Sequence, residues 1–145
     1  MVSVNKSVSS KRSKARKAHF TAPSSVRRVI MSAPLTKKLR DEHNVRAVPI
    51  RKGDEVKILK GKFKGVVGKV KKVVRLKWSV YVEGVQGEKL GGKTFDVAVK
   101  PSTVQITKLH LDKDRKNLLK RKAEARAQTT QANKGKFTEE TVKQQ

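Results

Sequence analysis

The stretch from Pro49 to His110 constrains the fold most, because short apolar-polar alternations separated by glycine run through it. Alternation with a period of two is typical of half-buried β-strands. It predicts five short strands, whose apolar positions are Val56 and Ile58, then Val66 and Val70, then Trp78, Val80 and Val82, then Phe95, Val97 and Val99, and finally Val104 and Ile106. Five strands with no helix between them indicate an all-β core, a small curled antiparallel barrel.

The sequence also predicts which aromatic residue of the third strand is buried and how that strand connects to the fourth. Trp78 is in register with Val80 and Val82 and is therefore expected in the core, which leaves Tyr81 as the more exposed aromatic residue. The glycines between 84 and 92 predict a long hairpin connection to the fourth strand.

The flanking segments are basic and predict extensions of the barrel. Two short apolar patterns predict helices over about 24–31 and from Leu35 to about His43. After the barrel, Asp112 or Asp114 is suited to cap a helix whose apolar patch is Leu118 and Leu119. The predicted divisions are a basic extended arm (1–22), a short helical extension (23–48), the barrel (49–110), a basic helix (111–127) and a flexible tail (128–145).

The charge of the chain restricts its partners. Lys and Arg number 37 against 12 Asp and Glu, a formal net charge of +25. Residues 1–50 hold 12 basic and 2 acidic residues, residues 51–110 hold 15 and 5, and residues 111–145 hold 10 and 5, so the excess is spread along the chain. Such a distribution indicates a protein surrounded by a polyanion rather than a neutral body with one binding module.

Composition argues against several classes of protein. Only 35% of the residues are apolar and six are aromatic, so the core must be small. The absence of cysteine excludes a disulfide framework, a thiolate metal site and a cysteine nucleophile. No apolar run approaches the roughly 18 residues of a membrane span.

The residues that could suggest catalysis have simpler interpretations. His19, His43 and His110 are too dispersed for a metal cluster and are expected to contact solvent or RNA. Asp54 and Glu55 are adjacent on a strand and point to opposite faces, so we expect them in the turn at the start of the strand. The sequence has no phosphate-binding loop and no nucleophile elbow. We therefore expect no enzyme, cofactor, metal or small-molecule substrate.

The most informative segment is the basic loop between the first two predicted strands. Gly61, Gly65 and Gly68 allow positive φ and a close approach to phosphate or sugar. Three lysines of the loop supply counter-charge, and Phe63 stands at its tip. An exposed Phe63 ring would stack on an unpaired base, whereas a ring folded back would plug one end of the barrel.

Residues 52–70 resemble the KOW motif, which ribosomal proteins share with transcription elongation factors. The flanks extend the likeness in order, through Ala18-His19-Phe20, Arg27-Arg28, Pro49-Ile50-Arg51-Lys52, Pro101-Ser102 and Leu111 to Lys116. Over about residues 11–126 the chain resembles the universal KOW-type large-subunit ribosomal protein in its eukaryotic and archaeal branch. That family is number twenty-six in eukaryotic numbering and twenty-four in the universal scheme.

The resemblance implies an SH3-like barrel buried in large-subunit ribosomal RNA near the polypeptide exit tunnel, beside neighbouring ribosomal proteins. It also implies a role in subunit assembly and a cytosolic ribosome, with assembly in the nucleolus if the source is eukaryotic. The serine-rich basic start could also be a mitochondrial transit peptide, but the resemblance places it in the mature protein. Gly65 and Gly68 are separated by two residues, not by the three of most eukaryotic relatives, so loop contacts transfer least securely.

Two binding roles remain as alternatives, a structural ribosomal RNA binder and a KOW-containing transcription or processing factor, which would need a further folded domain. For RNA binding, the sequence and the resemblance nominate basic and aromatic residues in every part of the chain. They are Lys11, Arg12, Lys14, Arg16, Lys17, His19, Arg27, Arg28, Lys60, Lys62, Phe63, Lys64, Lys69, Lys71, Lys72, Arg75, Arg115 and Lys116.

Overall fold

The structure, a computed structural model, describes residues 8–133. Four α-helices occur in this range: α1 (Arg12–Phe20), α2 (Ser24–Ile30), α3 (Lys37–His43) and α4 (Lys113–Asn133). The strands are β1 (Ser32–Pro34), β2 (Ala47–Pro49), β3 (Glu55–Ile58), β4 (Val67–Val74), β5 (Ser79–Val82), β6 (Gln86–Glu88), β7 (Thr94–Asp96) and β8 (Val104–Lys108). A 3-10 turn, Pro101–Thr103, precedes β8.

The central element is a four-stranded antiparallel sheet in the order β5-β4-β3-β8. Val56 of β3 lies opposite Gly68 on one side and Ile106 on the other, while Val70 lies opposite Val82. The register places the alternating apolar side chains on one face, as the sequence pattern predicts. β4 is longer than predicted and contains a bulge between Val70 and Lys72, which increases its twist.

Two short, two-stranded antiparallel ladders flank this sheet. β1 pairs with β2, and Leu35, directly after β1, forms a bridge to Ile106 of β8. β6 pairs with β7, after which the Val99 amide and carbonyl exchange two hydrogen bonds with Val80 (2.9 and 2.8 Å). The all-β core with helical extensions is confirmed. The five-stranded SH3-like barrel stays a prediction, because the fourth predicted strand is divided between β7 and the bridge at Val99.

The core consists mainly of β-branched residues, which suit a pleated surface. They come from the sheet, from the β1–β2 ladder, and from Val85 and Val99, which flank the exposed β6–β7 ladder, and Leu119 of α4 covers one side. The apolar residues with 0–1% exposure are Ala33, Leu35, Val48, Val56, Ile58, Val70, Val80, Val82, Val85, Val104 and Ile106. The core is small, as the low apolar content requires.

The basic extended arm predicted for residues 1–22 is wrong for residues 12–20, which form α1; residues 1–7 lie outside the described range. The segment contains alanine, lysine and arginine, which favour helix, and no glycine or proline. The contact of His19 with Trp78 then holds the helix against the turn between β4 and β5.

Two other boundaries differ from the prediction. The helical extension expected for residues 23–48 contains the strands β1 and β2 as well as α2 and α3. Helix α4 continues to Asn133, so residues 128–133 are helical and not a flexible tail; the rest of the predicted tail lies outside the described residues. Within this last part of α4, the Thr129 and Thr130 hydroxyls donate hydrogen bonds to the carbonyls four residues earlier (2.9 Å each), an arrangement that threonine adopts inside helices.

Trp78 does not continue β5, contrary to its expected register. It lies in the turn before Ser79 with a left-handed φ of +54°, which is rare for a bulky residue. The indole is half-buried and packs beside the core, where a parallel His19 ring stacks on it.

Candidate RNA-binding surface

Helix α1 presents a dense group of cations. Arg12, Lys14, Arg16 and Lys17 are exposed on its nine residues, and Lys11 is exposed at its N-cap. The helix has no acidic residue in its first turn and no buried residue. Such a helix places charge along a rod without adding to the core, which suits contact with phosphates.

The basic loop connects β3 to β4 and is held by its own backbone. The Gly65 amide donates to the Ile58 carbonyl (2.8 Å), and the Lys64 amide donates to the Gly61 carbonyl (3.1 Å). Gly61 and Gly65 both have a φ of +92°, which glycine adopts without strain. The loop therefore holds exposed Lys60, Lys62 and Lys64 on a defined backbone.

Phe63 takes one of the two roles that the sequence leaves open, whereas Gly68 does not take the role expected for it. Phe63 is half-buried, packs against the core and lines a cavity of about 290 Å³ with Ile58 and Val99, which matches the plug alternative. Gly68 does not have positive φ. A Cβ at Gly68 would lie 2.4 Å from the Glu83 carbonyl oxygen, so glycine is needed there for close strand approach.

A basic groove lies along β4 and the turn after β2. Its volume is about 750 Å³, and its walls include Arg51, Lys52, Lys71, Lys72 and Arg75. Sequence reasoning nominated the last three but missed the first two, which lie outside the basic loop. Lys69 is exposed on the same strand. The groove brings five cations together, a suitable arrangement for a phosphate backbone.

Three of the groove cations also contact the protein, and one of them, Arg51, pairs with the Asp112 carboxylate. The Lys71 ammonium lies 3.2 Å from the Asp96 carboxylate, and Arg75 donates to the Ser24 hydroxyl (3.0 Å). Hydrogen bonds from Gln86 and then Lys71 lower the pKa of Asp96. Within residues 8–133, Lys52 and Lys72 make no side-chain hydrogen bond or ion pair, so their charges face outward.

Arg27, nominated for RNA, is instead a clamp inside the protein. Its Nε donates to the Ala22 carbonyl (2.7 Å) and its two terminal nitrogens donate to the Phe20 (2.6 Å) and Leu76 (3.1 Å) carbonyls. The guanidinium also lies 5.0 Å from the centre of the Trp78 ring. Because these contacts use its donors, Arg27 connects α1 and α2 to the β4–β5 turn.

Arg115, also nominated for RNA, is buried with 1% exposure. Its two terminal nitrogens donate to the two oxygens of Asp54 at 2.7 and 2.8 Å, a bidentate pair. Asp54 is fully buried and accepts two more bonds, from the Arg51 and His110 amides (2.9 Å each). Asp54 therefore lies in the turn before β3, as expected. Its ion pair with Arg115 also fixes the first turn of α4.

Asp112 is the residue that caps α4. Its Oδ1 accepts the Arg115 amide (2.7 Å), and its Oδ2 pairs with Arg51. The Arg115 amide bond and the Arg51 side chain lower the pKa of Asp112, despite partial desolvation. Exposed Lys116 follows and remains available for contact.

Further along α4, Lys122 donates to the Ala47 carbonyl (2.9 Å). Burial lowers the pKa of Lys122, and the charges of Arg121 and half-buried Arg28 lower it further. Like charges thus accumulate where α4 approaches α2, which an anionic partner would relieve.

The three histidines lie in different parts of the structure. His19 stacks on Trp78 at 4.2 Å between ring centres, His43 lies 3.8 Å from Glu42, and His110 is exposed. No group of three or more potential ligands for a metal ion occurs within residues 8–133. None of the helices in this part of the chain is long and apolar enough to span a membrane.

The fold and surface define a class: a small basic β-protein with helical extensions, whose exposed cations suit a polyanionic partner. Residues 9–122 match the family described as the eukaryotic ribosomal proteins L26 and their archaeal counterparts, which carry the number twenty-four. Three curated relatives are each named large ribosomal subunit protein uL24. The relative from Littorina littorea is 54% identical over 139 residues, which are 95% of this chain and 96% of its own length.

The relative from Caenorhabditis elegans is 51% identical over 139 residues, 96% of this chain and 98% of its own length. The relative from Candida albicans is 53% identical over 122 residues, 84% of this chain and 96% of its own length. The chain therefore belongs to this family of eukaryotic and archaeal ribosomal proteins, which is a structural family and not one of enzymes.

Proposed function

We propose that the protein is a structural component of the large ribosomal subunit that binds ribosomal RNA near the polypeptide exit tunnel and acts in subunit assembly. The family match and the names of the relatives support the large-subunit role. The tunnel location and the assembly role rest on the resemblance of the KOW segment and its flanks. The same resemblance implies cytosolic ribosomes, with assembly in the nucleolus of a eukaryotic cell.

The observation that carries the RNA proposal is the placement of exposed cations on separate elements around one small core. Helix α1, the β3–β4 loop and the β4 groove each expose several lysines or arginines. Each phosphate neutralised releases a counterion, so many dispersed contacts give strong, salt-dependent binding. Shape and backbone are then read more than base sequence.

The nominated contacts that remain exposed form the proposed interface. They are Lys11, Arg12, Lys14, Arg16, Lys17, Lys60, Lys62, Lys64, Lys69, Lys71, Lys72, Arg75 and Lys116, joined by Arg51 and Lys52. Neighbouring large-subunit proteins are the second proposed partners. Val26 and Val29 of α2, with 45% and 55% exposure, offer them an apolar contact.

Sedimentation tests the proposal on the full chain. A tagged protein expressed in its own cell type should sediment with 60S-type particles on a sucrose gradient and remain there after a moderate-salt wash. RNase treatment should release it. Recovery with RNA polymerase after RNase treatment would contradict the proposal and favour the transcription-factor alternative.

The role of α1 needs a variant that keeps the helix docked, because deleting residues 1–22 would remove the His19 stack from Trp78. The triple variant Lys14→Gln, Arg16→Gln, Lys17→Gln changes only exposed side chains. We expect normal folding but weaker incorporation into particles. Lys37→Gln with Lys38→Gln, exposed on α3, is the control. Incorporation equal to wild type would show that α1 is not an anchor.

A further inference from the structure

A cavity of about 530 Å³ lies where α1 and α2 meet the β4–β5 turn and the 3-10 turn. We infer that this cavity binds one unpaired nucleobase of the RNA. The inference rests on the proposed RNA-binding function and adds a base contact to what is otherwise a phosphate surface. The volume lies within the roughly 300–1,000 Å³ of small-molecule sites.

The aromatic wall of the cavity is fixed in place. The His19 and Trp78 rings are stacked, with an angle of 8° between them, and the Phe20 ring meets His19 edge-on (5.0 Å). The Arg27 clamp holds the Phe20 carbonyl and packs on the indole. A base entering the cavity therefore meets a preorganised wall, so little side-chain entropy is lost on binding.

The rest of the wall is apolar and accessible. Phe20 is 53% exposed and Ile30 is 44% exposed, while Met31 forms the buried floor at 2%. Flat aromatic and apolar surface left open to water is what an unstacked base covers. Exposed apolar surface of this kind often marks a binding site.

The charges around the cavity favour a nucleotide over an apolar side chain of a partner protein. Exposed Lys77 and Lys100 line it, together with Ser79 and Ser102. Lys100 also lines the cavity under the β3–β4 loop, together with Lys60 and Lys62. Cations therefore extend from the loop to this cavity, where they complement the phosphates on either side of a bound base.

The binding test compares two RNA hairpins that differ only in one bulged nucleotide, an adenosine in one and an abasic residue in the other. Both carry the same phosphates, so charge alone predicts equal dissociation constants. For the full-length wild-type protein we expect the abasic hairpin to bind roughly five- to a hundredfold more weakly, the range for loss of one stacked base.

Two wall variants and one matched control locate the effect. Phe20→Ala and Ile30→Ala should each bring the ratio of the two dissociation constants towards one. Val29→Ala, on the same helix and 55% exposed but outside the cavity, should keep the wild-type ratio. The fluorescence of Trp78 reports whether α1 stays docked in each variant. If Phe20→Ala undocks α1, Ile30→Ala still tests the cavity, because Ile30 lies on α2.

Equal affinity of wild type for both hairpins, or an unchanged ratio in both wall variants, would overturn the base site while leaving RNA binding intact. Failure to bind either hairpin even at low salt would instead contradict the proposed function together with this inference. Assembled particles supply a second test, with the photoreactive p-benzoyl-phenylalanine placed at position 20. A crosslink to RNA supports the inference, and a crosslink only to a ribosomal protein refutes it.

Discussion

Replacing Arg115 with methionine should destabilise the protein more than any surface substitution of a basic residue. The buried Asp54 carboxylate accepts four hydrogen bonds, two from Arg115 at 2.7 and 2.8 Å and two from backbone amides at 2.9 Å. Methionine fills similar space but leaves the carboxylate charge without its counterion. The two remaining amide bonds do not replace that charge.

The expected loss follows from these contacts. Two charge-assisted hydrogen bonds contribute about 1.5–3 kcal/mol each, and the desolvation of Arg115, which is relieved in the variant, offsets part of this sum. Breaking a buried pair from one side costs about 3–5 kcal/mol in net terms. A loss of that size is a large fraction of the about 5–15 kcal/mol by which small proteins are stable.

Urea unfolding measures this loss, with Trp78 as the single tryptophan and far-UV circular dichroism for α4. About 0.5 M salt should be present to screen the repulsion among the excess cations. Lys116→Met, the exposed neighbour on the same helix, is the control and should change stability by about 0.5 kcal/mol or less.

A double-variant cycle with Asp54→Asn isolates the pair. We expect a coupling energy of about 2–3 kcal/mol, near the upper end of measured values for contacting residues. An Arg115→Met loss below about 1 kcal/mol, or a coupling near zero, would refute the idea that the ion pair fixes α4 to the sheet.

Three further predictions concern other parts of the fold and surface. Gly68→Ala should destabilise the protein by about 1–3 kcal/mol in urea unfolding, because its Cβ would meet the Glu83 carbonyl oxygen at 2.4 Å; full stability would show that the strands separate easily. The lowered pKa of Asp112 gives stability that is present above the unfolded pKa, near 4, and is lost as pH falls through the folded value. Asp112→Asn should therefore reduce the loss of unfolding free energy at acid pH, measured by urea unfolding at a series of pH values. If the pH dependence of stability is unchanged in the variant, groups other than Asp112 cause it. Lys52→Gln with Lys72→Gln should reduce the slope of log affinity for RNA against log salt by about 1–2; an unchanged slope would remove the groove from the interface.

The sequence pattern predicted the central sheet because its strands alternate cleanly between buried and exposed residues. It did not predict β1 and β2, since Ser32–Pro34 and Ala47–Pro49 are three residues long and contain proline, which usually marks a break. The β1–β2 ladder joins the central sheet through the bridge between Leu35 and Ile106, which lie 71 positions apart. Local patterns do not contain information about such a contact.

Helix periodicity in the sequence contains a signal for the burial of Arg115. Leu119, a buried leucine of α4, lies four positions later and therefore on the same helix face, and half-buried Lys122 follows three positions after it. Helix periodicity thus separates Arg115 from its exposed neighbour Lys116. The identity of its partner, Asp54, required the tertiary structure.

The internal use of arginine changes what the excess charge of this chain implies for RNA. The guanidinium group of Arg27 donates to backbone carbonyls, and that of Arg115 donates to a carboxylate. The exposed cations of the β3–β4 loop, in contrast, are all lysines. Lysine is a strongly hydrated point charge that neutralises phosphate without fixed geometry, whereas arginine binds bidentately. The β3–β4 loop should therefore add salt-dependent affinity and little sequence preference. Base recognition, where it occurs, then depends on aromatic walls such as the one formed by His19 and Trp78.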